Sequence, residues 1–314
     1  MDYIYYYVRH EDEVDLCRLE MRTLFGHDTL GPVLRTGRNI DPSRSPFMKG
    51  RIDIEIASPQ FEDVLARIAQ IELPANQSIK LISVNDVDFD DEKKWSFHKR
   101  REIEKLAGLQ LTCSVDLTNP DQVYGILYYE NMWYVGPLTK SEAVWLKHQE
   151  KPHTFSTALS TRDARAIVNI AVPFIEQDLR VIDPCCGIGT VVLEALSMDI
   201  PIEGSDKNFR VCQGSRKNIA HFGYEGTITK RSIHEIDETY DIAIVDLPYN
   251  LFTHITEEET ERLLASAKRI ATRVIVIAID PVDDMLDRVG LKVIDRAEAR
   301  KGTFKREVIV TERV

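Results

Sequence analysis

The stretch VIDPCCGIGTVVLEA, Val181–Ala195, decides the fold because it joins an apolar run, two glycines one residue apart and a helix-like run. In a strand–loop–helix unit of this kind, glycines such as Gly187 and Gly189 let a ligand approach the backbone, and the helix N–H groups face that ligand. The dinucleotide pattern G-x-G-x-x-G needs a third glycine, where this chain has Val192. The spacing therefore disfavours a pyrophosphate ligand.

Two carboxylates accompany this loop. Asp183 ends the first strand, where it would repel a phosphate but suits the methionyl ammonium of S-adenosylmethionine. Asp206 follows the second strand, about twenty residues after the loop, where an acidic side chain accepts ribose hydroxyls. The pattern favours S-adenosylmethionine as cofactor, and the candidate contacts are Asp183, Pro184, Gly187, Gly189, Thr190, Asp206 and Lys207. A tight turn without a ligand, with Asp206 as a helix N-cap, is the alternative reading.

From LRVIDP, Leu179–Pro184, onward the chain alternates short β-branched runs with helical stretches, which is typical of an α/β parallel sheet with crossover helices. The last stretch, GLKVIDRAEARKGTFKREVIVTERV, holds two strand-like runs without room for a helix, so it predicts a reversed hairpin. The predicted strands are Arg180–Asp183, Ile200–Ser205, Gly226–Thr229, Asp241–Val245 and Val274–Ile279. The predicted helices are Thr161–Phe174, Gly189–Met198, Phe209–Phe222 and Glu257–Ala271.

A polar, proline-containing hinge around Gln149–His153 predicts a domain boundary. We therefore expect an α+β region over residues 1–150 and the α/β domain over residues 151–314. The 314 residues suffice for two domains with cores of their own. No run of eighteen or more apolar residues is present, and the N-terminus lacks the pattern of a secretory signal, so we expect a cytoplasmic protein without a membrane span.

The five cysteines are irregularly spaced, and Cys185 and Cys186 lie next to each other, so we expect reduced thiols rather than a disulfide framework. No Cys or His stands at ligand spacing from this pair, so no metal is predicted. We expect both cysteines to be packing residues. The net charge of -11 predicts no general attraction to polyanions, so a nucleic acid would have to bind local basic patches.

The stretch DIAIVDLPYN, Asp241–Asn250, predicts the chemistry of the acceptor. The lone pair of an exocyclic amine of a nucleobase is conjugated into the ring and reacts poorly. Two acceptors that hold the amino hydrogens expose that lone pair, and Asp246 and the carbonyl of Leu247 can supply them. Pro248 fixes the direction of this carbonyl, and Tyr249 offers a flat face for a base taken out of its stack. We take Asp246, Leu247, Pro248 and Tyr249 as the candidate catalytic residues.

These motifs resemble known ones. DLPYN is similar to the (D/N/S)-P-P-(Y/F) motif of amino-methyltransferases, and DPCCGIGTVVLEA resembles the DP-x-C-G-x-G loop of THUMP-containing RNA methyltransferases that act on guanine N2. HTFSTALSTRDARAIVNIA and SVDLTNPDQVYGILYYENMWYVG are similar to that family's stretch before the catalytic domain and to the closing strands of a THUMP module. The resemblance covers Pro152–Val314 and Leu109–Gly136.

The resemblance implies a class I, Rossmann-like methyltransferase domain with a mostly parallel seven-stranded sheet and a C-terminal reversed hairpin. It also implies a THUMP-like module in the N-terminal region, S-adenosylmethionine as cofactor and a guanine N2 of tRNA as the methyl acceptor. The chain departs from the family pattern at three positions: Leu247 replaces a proline, Ser232 stands where an acid contacts the adenine amine, and Asn250 stands where glycine is frequent. Ser232 is accordingly a further candidate cofactor contact.

Two basic stretches are candidates for RNA binding, with solvated charged faces as the alternative. The first is KKWSFHKRREIEKLAG, which contains Lys99, Arg100 and Arg101, and the second is ARKGTFKRE, which contains Lys301 and Lys305.

Two other functions remain open from the residues. Adenine N6 methylation of RNA or DNA would use the same tetrapeptide, Asp246–Tyr249, and an RNA-binding protein could keep the fold without catalysis.

Overall fold

The computed structural model describes residues 1–84, 94–155, 158–175, 178–248, 256–301 and 304–314. The chain divides into two compact units, of which the first comprises residues 1–9 and 29–142 and the second residues 10–28 and 143–314.

The strands of the first unit are β1 Tyr3–Tyr7, β2 Val33–Thr36, β3 Met48–Asp53, β4 Ile56–Ser58, β5 Ser78–Ser83, β6 Ser114–Val115, β7 Gln122–Tyr129 and β8 Met132–Lys140. The strands of the second unit are β9 Val181–Asp183, β10 Ile202–Asp206, β11 Thr227–Lys230, β12 Tyr240–Asp246, β13 Ala271–Ala278, β14 Leu291–Lys301 and β15 Phe304–Arg313. The α-helices of both units are α1 Val14–Phe25, α2 Phe61–Ile68, α3 Phe97–Gly108, α4 Thr161–Ala171, α5 Thr190–Leu196, α6 Phe209–His221, α7 Glu257–Ile270 and α8 Asp283–Val289.

In the first unit, the described strands form a mixed sheet in the order β2-β1-β3-β8-β7-β5-β6, and β4 pairs with β8. Strands β7 and β8 form a hairpin whose turn residues, Glu130 and Asn131, both have positive φ, as a tight two-residue hairpin turn requires. Helices α2 and α3 contribute Val64, Ile68 and Ile103 to a core shared with the sheet. The unit is therefore an α+β structure, as the sequence predicts.

In the second unit, the described strands form a seven-stranded sheet in the order β11-β10-β9-β12-β13-β15-β14. Neighbours from β11 to β13 are parallel, whereas β15 runs antiparallel to β13 and β14. This strand order with its terminal reversed hairpin is the class I methyltransferase layout, so the predicted fold is confirmed. The central strands are buried on both faces, which explains their continuous β-branched runs.

Helix α1 belongs to the second unit, which differs from the prediction of one N-terminal region over residues 1–150. The Asn169 side-chain amide donates to the Glu20 carboxylate at 2.6 Å, and Arg22 donates to both Asp295 carboxylate oxygens at 2.9 Å. Apolar periodicity predicts that α1 forms, but it does not tell which of two cores receives its apolar face.

The predicted hinge around Gln149–His153 is also placed differently, because the units divide between residues 142 and 143. A 3-10 helix, Val144–Glu150, occupies this part of the chain, and its Trp145 and His148 are buried in the second unit. The His148 ring nitrogen Nδ1 lies 2.7 Å from Glu194 Oε1. The segment is therefore fixed to the second unit, and its polar composition reflects partners that are distant in sequence.

Within the described ranges, no helix combines the length and the apolar character needed to cross a bilayer.

Candidate active site

Three neighbouring strands of the second unit, β10, β9 and β12, each end on an aspartate. These residues are Asp206, Asp183 and Asp246. Because the strands are parallel, their carboxyl ends meet at one edge of the sheet, where open α/β sheets bind ligands. The fold therefore brings together the three carboxylates that the sequence singles out.

The glycine loop lies directly beyond β9. Gly187 and Gly189 have φ values of +52° and +77°, which side chains rarely adopt. A Cβ atom added at Gly187 would meet no heavy atom of the described residues within 4 Å, so the loop faces open space there. A Cβ atom at Gly189 would overlap with the Ser215 hydroxyl of α6. One glycine therefore leaves room for a ligand, and the other permits close packing of the loop on α6.

Asp206 contacts the same loop. Its Oδ2 accepts the Gly187 N–H at 3.2 Å, and its Oδ1 accepts the Asn208 N–H at 2.7 Å. A carboxylate has about four acceptor positions, so two further hydrogen bonds can still form. Asp206 can therefore support the loop and accept ligand hydroxyls at the same time. The next residue, Lys207, is also a candidate cofactor contact, and its side chain is exposed.

Asp183 is almost completely buried, and among the described residues it accepts one hydrogen bond, from the Cys185 N–H at 3.2 Å. Burial raises the pKa of Asp183 well above its usual value, and the nearby charges of Asp246 and Asp206 raise it further. A cation bound at this edge would relieve the repulsion among the three carboxylates. The site is therefore suited to a positively charged ligand.

The two adjacent cysteines are free thiols. Burial, together with the charge of Asp183, raises the pKa of Cys185 and of Cys186, so both remain protonated at neutral pH. Cys185 packs against the hydrophobic core beneath the sheet. Because a thiolate is the nucleophilic form, this surrounding fits packing residues rather than catalytic thiols.

The candidate tetrapeptide begins at the end of β12. The Leu247 N–H donates to the Ile277 carbonyl at 2.9 Å, and the Leu247 side chain is buried in the core. Pro248 is exposed at the edge of the sheet, and its peptide bond is trans because the described residues contain no cis bond. Tyr249 and Asn250 lie outside the described residues.

Three other candidate contacts with the cofactor have defined surroundings. Pro184 is buried, and its carbonyl accepts the Ser205 hydroxyl at 3.4 Å. Thr190 begins α5, and its buried hydroxyl has no hydrogen-bond partner among the described residues. Ser232 instead caps a short 3-10 helix, in which its N–H donates to Glu235 at 2.8 Å and its hydroxyl accepts the His234 N–H at 3.4 Å.

The candidate RNA-binding residues of α3 lie in the first unit. Exposed Lys99 pairs with exposed Glu102 at 3.0 Å, and exposed Arg101 pairs with half-buried Glu104 at 3.0 Å. The guanidinium groups of Arg100 and Arg101 lie over the ring of Phe97, which is 60% exposed. The first turn of α3 thus presents an exposed aromatic ring together with cations.

The other candidate RNA-binding residues lie on the C-terminal hairpin of the second unit. Lys301 ends β14, and Lys305 forms an ion pair with Glu298. The pairing of Glu307 with Ala278 places these residues beyond the carboxyl end of β13, at the same edge of the sheet as the three aspartates.

Two further buried polar residues near the loop were not predicted from the sequence. Asn218 of α6 contacts the glycine loop, and Glu194 of α5 contacts His148 and Arg165. A charged residue within the apolar run TVVLEAL is a signal that could have revealed Glu194. Asn218 offers no such signal, because asparagine on an ordinary helix surface has the same pattern.

The described part of the chain contains no group of three or more His, Cys, Asp or Glu side chains placed to hold a metal ion.

Comparisons with known proteins agree with this geometry. The curated tRNA (guanine(10)-N2)-dimethyltransferase of Methanothermobacter thermautotrophicus is 30% identical over 136 residues, which cover 40% of this chain and 40% of the relative. The enzyme of that name from Methanocaldococcus jannaschii is 22% identical over 227 residues, covering 67% of this chain and 64% of the relative. The one from Pyrococcus abyssi is 25% identical over 217 residues, covering 63% and 65%. The chain thus spans 40% to 65% of the length of these relatives.

Among solved structures, TrmN from Thermus thermophilus aligns over the full length of both chains with 16% identity and a TM-score of 0.49. The model of a protein family described as "RMKL-like, methyltransferase domain" matches residues 149–308, which is about half of the 314 residues. The matched range contains the glycine loop, the three strand-end aspartates and the tetrapeptide. The chain belongs to the RMKL-like methyltransferase domain family.

Proposed function

We propose that the protein is an RNA methyltransferase that transfers a methyl group from S-adenosylmethionine to an exocyclic amine of a nucleobase, the N2 of a guanine in tRNA. One observation carries the proposal. In a domain of a methyltransferase family, the Asp246–Pro248 segment stands at the same sheet edge as the glycine loop and Asp183. A methyl donor and an amine acceptor can therefore meet there.

The residues at this edge fit S-adenosylmethionine. The buried Asp183 carboxylate and its two acidic neighbours favour the cationic donor, and the free positions on Asp206 suit ribose hydroxyls. The open space above Gly187 accommodates a ligand against the backbone, and the Thr190 hydroxyl, which has no partner in the described part of the chain, is available as a polar contact. The cofactor would supply an activated methyl group on a sulfonium.

The chain's own groups would act on the acceptor amine. The Asp246 carboxylate accepts one amino hydrogen and the Leu247 carbonyl the other, so that the nitrogen lone pair is directed at the methyl carbon. The ladder hydrogen bond from the Leu247 N–H to Ile277 anchors this carbonyl to the sheet. The sheet therefore fixes the orientation of the acceptor, and catalysis rests mainly on proximity and orientation.

The choice of guanine N2 in tRNA is supported by the curated relatives, whose names specify a tRNA guanine N2. The tetrapeptide by itself suits other exocyclic amines as well, because each presents an NH2 group. The base is therefore the part of the proposal that rests on the relatives.

RNA contact by the first unit belongs to the same proposal, with a THUMP-like module as its predicted identity. The first turn of α3 supports it, because exposed Phe97 can stack on a base while Arg100 and Arg101 approach phosphates. The intrahelical pairs with Glu102 and Glu104 would exchange for phosphate contacts on binding.

Substitution of Asp246 tests the mechanism. We expect Asp246→Ala to lower kcat with tRNA by about a hundredfold or more, the cost of one lost hydrogen bond to the reacting group, and to change cofactor affinity by less than about tenfold. The matched control is Asp237→Ala, which removes an exposed carboxylate before β12 and should leave kcat unchanged. Full turnover of Asp246→Ala would exclude the mechanism.

A further inference from the structure

Asn218, on α6, is buried and makes three hydrogen bonds with its side-chain amide. Its Oδ1 accepts the His153 N–H at 2.9 Å, and its Nδ2 donates to the His153 carbonyl at 2.9 Å and to the Ile188 carbonyl at 3.0 Å. The reverse orientation of the amide would set Oδ1 against two carbonyls and Nδ2 against an N–H. The bonding pattern therefore fixes the orientation of this side chain.

The three bonds join two separate segments of the second unit. Ile188 lies between Gly187 and Gly189, so its carbonyl belongs to the turn that bends the backbone after β9. His153 lies just after the 3-10 helix Val144–Glu150. One side chain thus ties the segment that enters the second unit to the glycine loop.

The same face of α6 supports the loop elsewhere. Ser215, one turn before Asn218, packs so closely on Gly189 that a Cβ atom there would overlap with its hydroxyl. Cys212, a further turn back, directs its thiol to the Asp206 carbonyl at 3.4 Å. Asn218 differs from Ser215 and Cys212 in its contact: its Nδ2 donates a hydrogen bond directly to a carbonyl of the Gly187–Gly189 turn.

We propose that Asn218 is a positioning residue for the cofactor, which holds the glycine loop in its binding conformation through the Ile188 carbonyl and couples the loop to the segment at His153. The inference rests on the proposed function for the identity of the ligand. Without the amide, the Ile188 carbonyl and both backbone groups of His153 lose their common partner. The loop then samples other conformations, and part of the binding free energy is spent on ordering it again.

The test compares two Asn218 variants with a matched buried asparagine. Asn218→Ala removes all three bonds, whereas Asn218→Asp keeps an acceptor for the His153 N–H and loses the Nδ2 donor. Asn169→Ala is the control, because Asn169 is also buried in the second unit and its side-chain amide donates to Glu20 on α1. Thermal unfolding of each variant measures the general loss of stability.

Two readouts report on the loop. Hydrogen exchange of the amides of residues 186–190, measured without cofactor, should be about tenfold faster in both Asn218 variants and unchanged in Asn169→Ala. The Kd for S-adenosylhomocysteine and the KM for S-adenosylmethionine should rise about tenfold in both Asn218 variants, while kcat at saturating cofactor stays within about threefold.

The inference is overturned if the Asn218 variants exchange these amides and bind the cofactor as the wild type does, or if Asn169→Ala shows the same changes. Should Asn218→Ala fail to fold, Asn218→Asp decides between the same outcomes. Absence of cofactor binding in the wild type would refute the proposed function instead, and the exchange measurement would still judge the role of Asn218.

Discussion

Asp183 illustrates at the scale of one residue how this site sets binding against stability. Its carboxylate is buried at the end of β9, close to two further carboxylates, and it accepts the Cys185 N–H. The charged form is therefore disfavoured in the folded protein unless a cation is bound. Under the proposed function, Asp183 serves the cationic ligand at a cost in stability to the protein without it.

A pH dependence follows for Asp183. Because its pKa is raised in the folded state, the carboxyl is protonated at low pH and ionises as the pH rises through that value. Under the proposed function the ammonium of the cofactor would bind the ionised form, so we expect affinity to increase with pH over this range and then to level off. Asp183→Asn should bind about tenfold to a hundredfold more weakly at neutral pH, by loss of a charge-assisted bond, and this contribution to the pH dependence should disappear. Isothermal titration calorimetry over a pH series measures both effects.

The Asp183→Asn substitution should weaken cofactor binding but increase the stability of the protein without cofactor. A raised folded-state pKa means that the carboxylate destabilises the fold increasingly as the pH rises from its unfolded-state pKa to its folded-state pKa. Asparagine avoids this penalty and keeps an oxygen for the Cys185 N–H, so the variant should unfold at a higher temperature than the wild type at neutral pH. A lower melting temperature would contradict this account of Asp183.

Leu247 shows how a departure from a motif is accommodated. Proline at this position has no N–H, whereas Leu247 donates one to Ile277 and buries its side chain in the core. The carbonyl that the mechanism uses is present with either residue. The substitution therefore extends the pairing of β12 with β13 without removing the acceptor.

Single residues of the site were predictable where their type and spacing encode the chemistry. Asp183, Gly187 and Asp206 follow strands at distances that the sequence displays, and the structure places them together. Asn218 and Ser215 were not predictable, because their roles arise from what α6 packs against. The sequence predicts the helix, but not the segments against which the helix packs.

At the scale of elements, a buried polar cluster attaches the 3-10 helix Val144–Glu150 to α4 and α5. Glu194 Oε1 lies 2.7 Å from the His148 ring, and Glu194 Oε2 accepts from Arg165 at 2.9 Å. All three side chains are at most 2% exposed. A polar stretch that reads as a hinge in the sequence is thereby a fixed part of the second unit.

Removal of Glu194 should be severely destabilising. In Glu194→Ala the buried Arg165 guanidinium loses the carboxylate that it contacts at 2.9 Å, which costs about 3 to 5 kcal/mol of unfolding free energy. Urea denaturation measures the loss. Glu225→Ala, at an exposed position of the same unit, should change stability by no more than about 0.5 kcal/mol. Equal effects of the two substitutions would mean that the cluster contributes nothing specific.

A separate prediction concerns tRNA binding by helix α3 of the first unit. The combined substitution Lys99→Ala, Arg100→Ala and Arg101→Ala should weaken tRNA binding and reduce the slope of log K against log salt by about 2 to 3, as expected for three phosphate contacts. Lys105→Ala, an exposed cation in the last turn of the same helix, is the control. Unchanged affinity and salt slope in the triple variant would place the RNA elsewhere.

At the scale of the whole molecule, the sequence predicted the second unit far better than the first. Parallel strands that are buried on both faces have continuous apolar runs, such as Val274–Ala278, which can be recognised without knowing the neighbouring strands. Right-handed crossovers then restrict the order of these strands in the sheet. The division into units was not predictable in the same way. Helix α1 joins the second unit although it lies between β1 and β2 of the first in sequence.

The charge of the molecule constrains its substrate. With a net charge of -11, long-range attraction does not bring a polyanion to the protein as a whole. Under the proposed function, RNA would therefore bind local features such as the first turn of α3 and the basic residues of the C-terminal hairpin. We therefore expect selective rather than general affinity for nucleic acids.

The most direct test is to identify the methylated nucleoside. The protein is incubated with labelled S-adenosylmethionine and, separately, with unmodified tRNA, rRNA and DNA, and each nucleic acid is then digested and its labelled nucleosides are separated. We expect N2-methylguanosine or its dimethylated form from tRNA, with no comparable label in rRNA or DNA. N6-methyladenine as the product, or no label in any of the three pools, would contradict the proposed function.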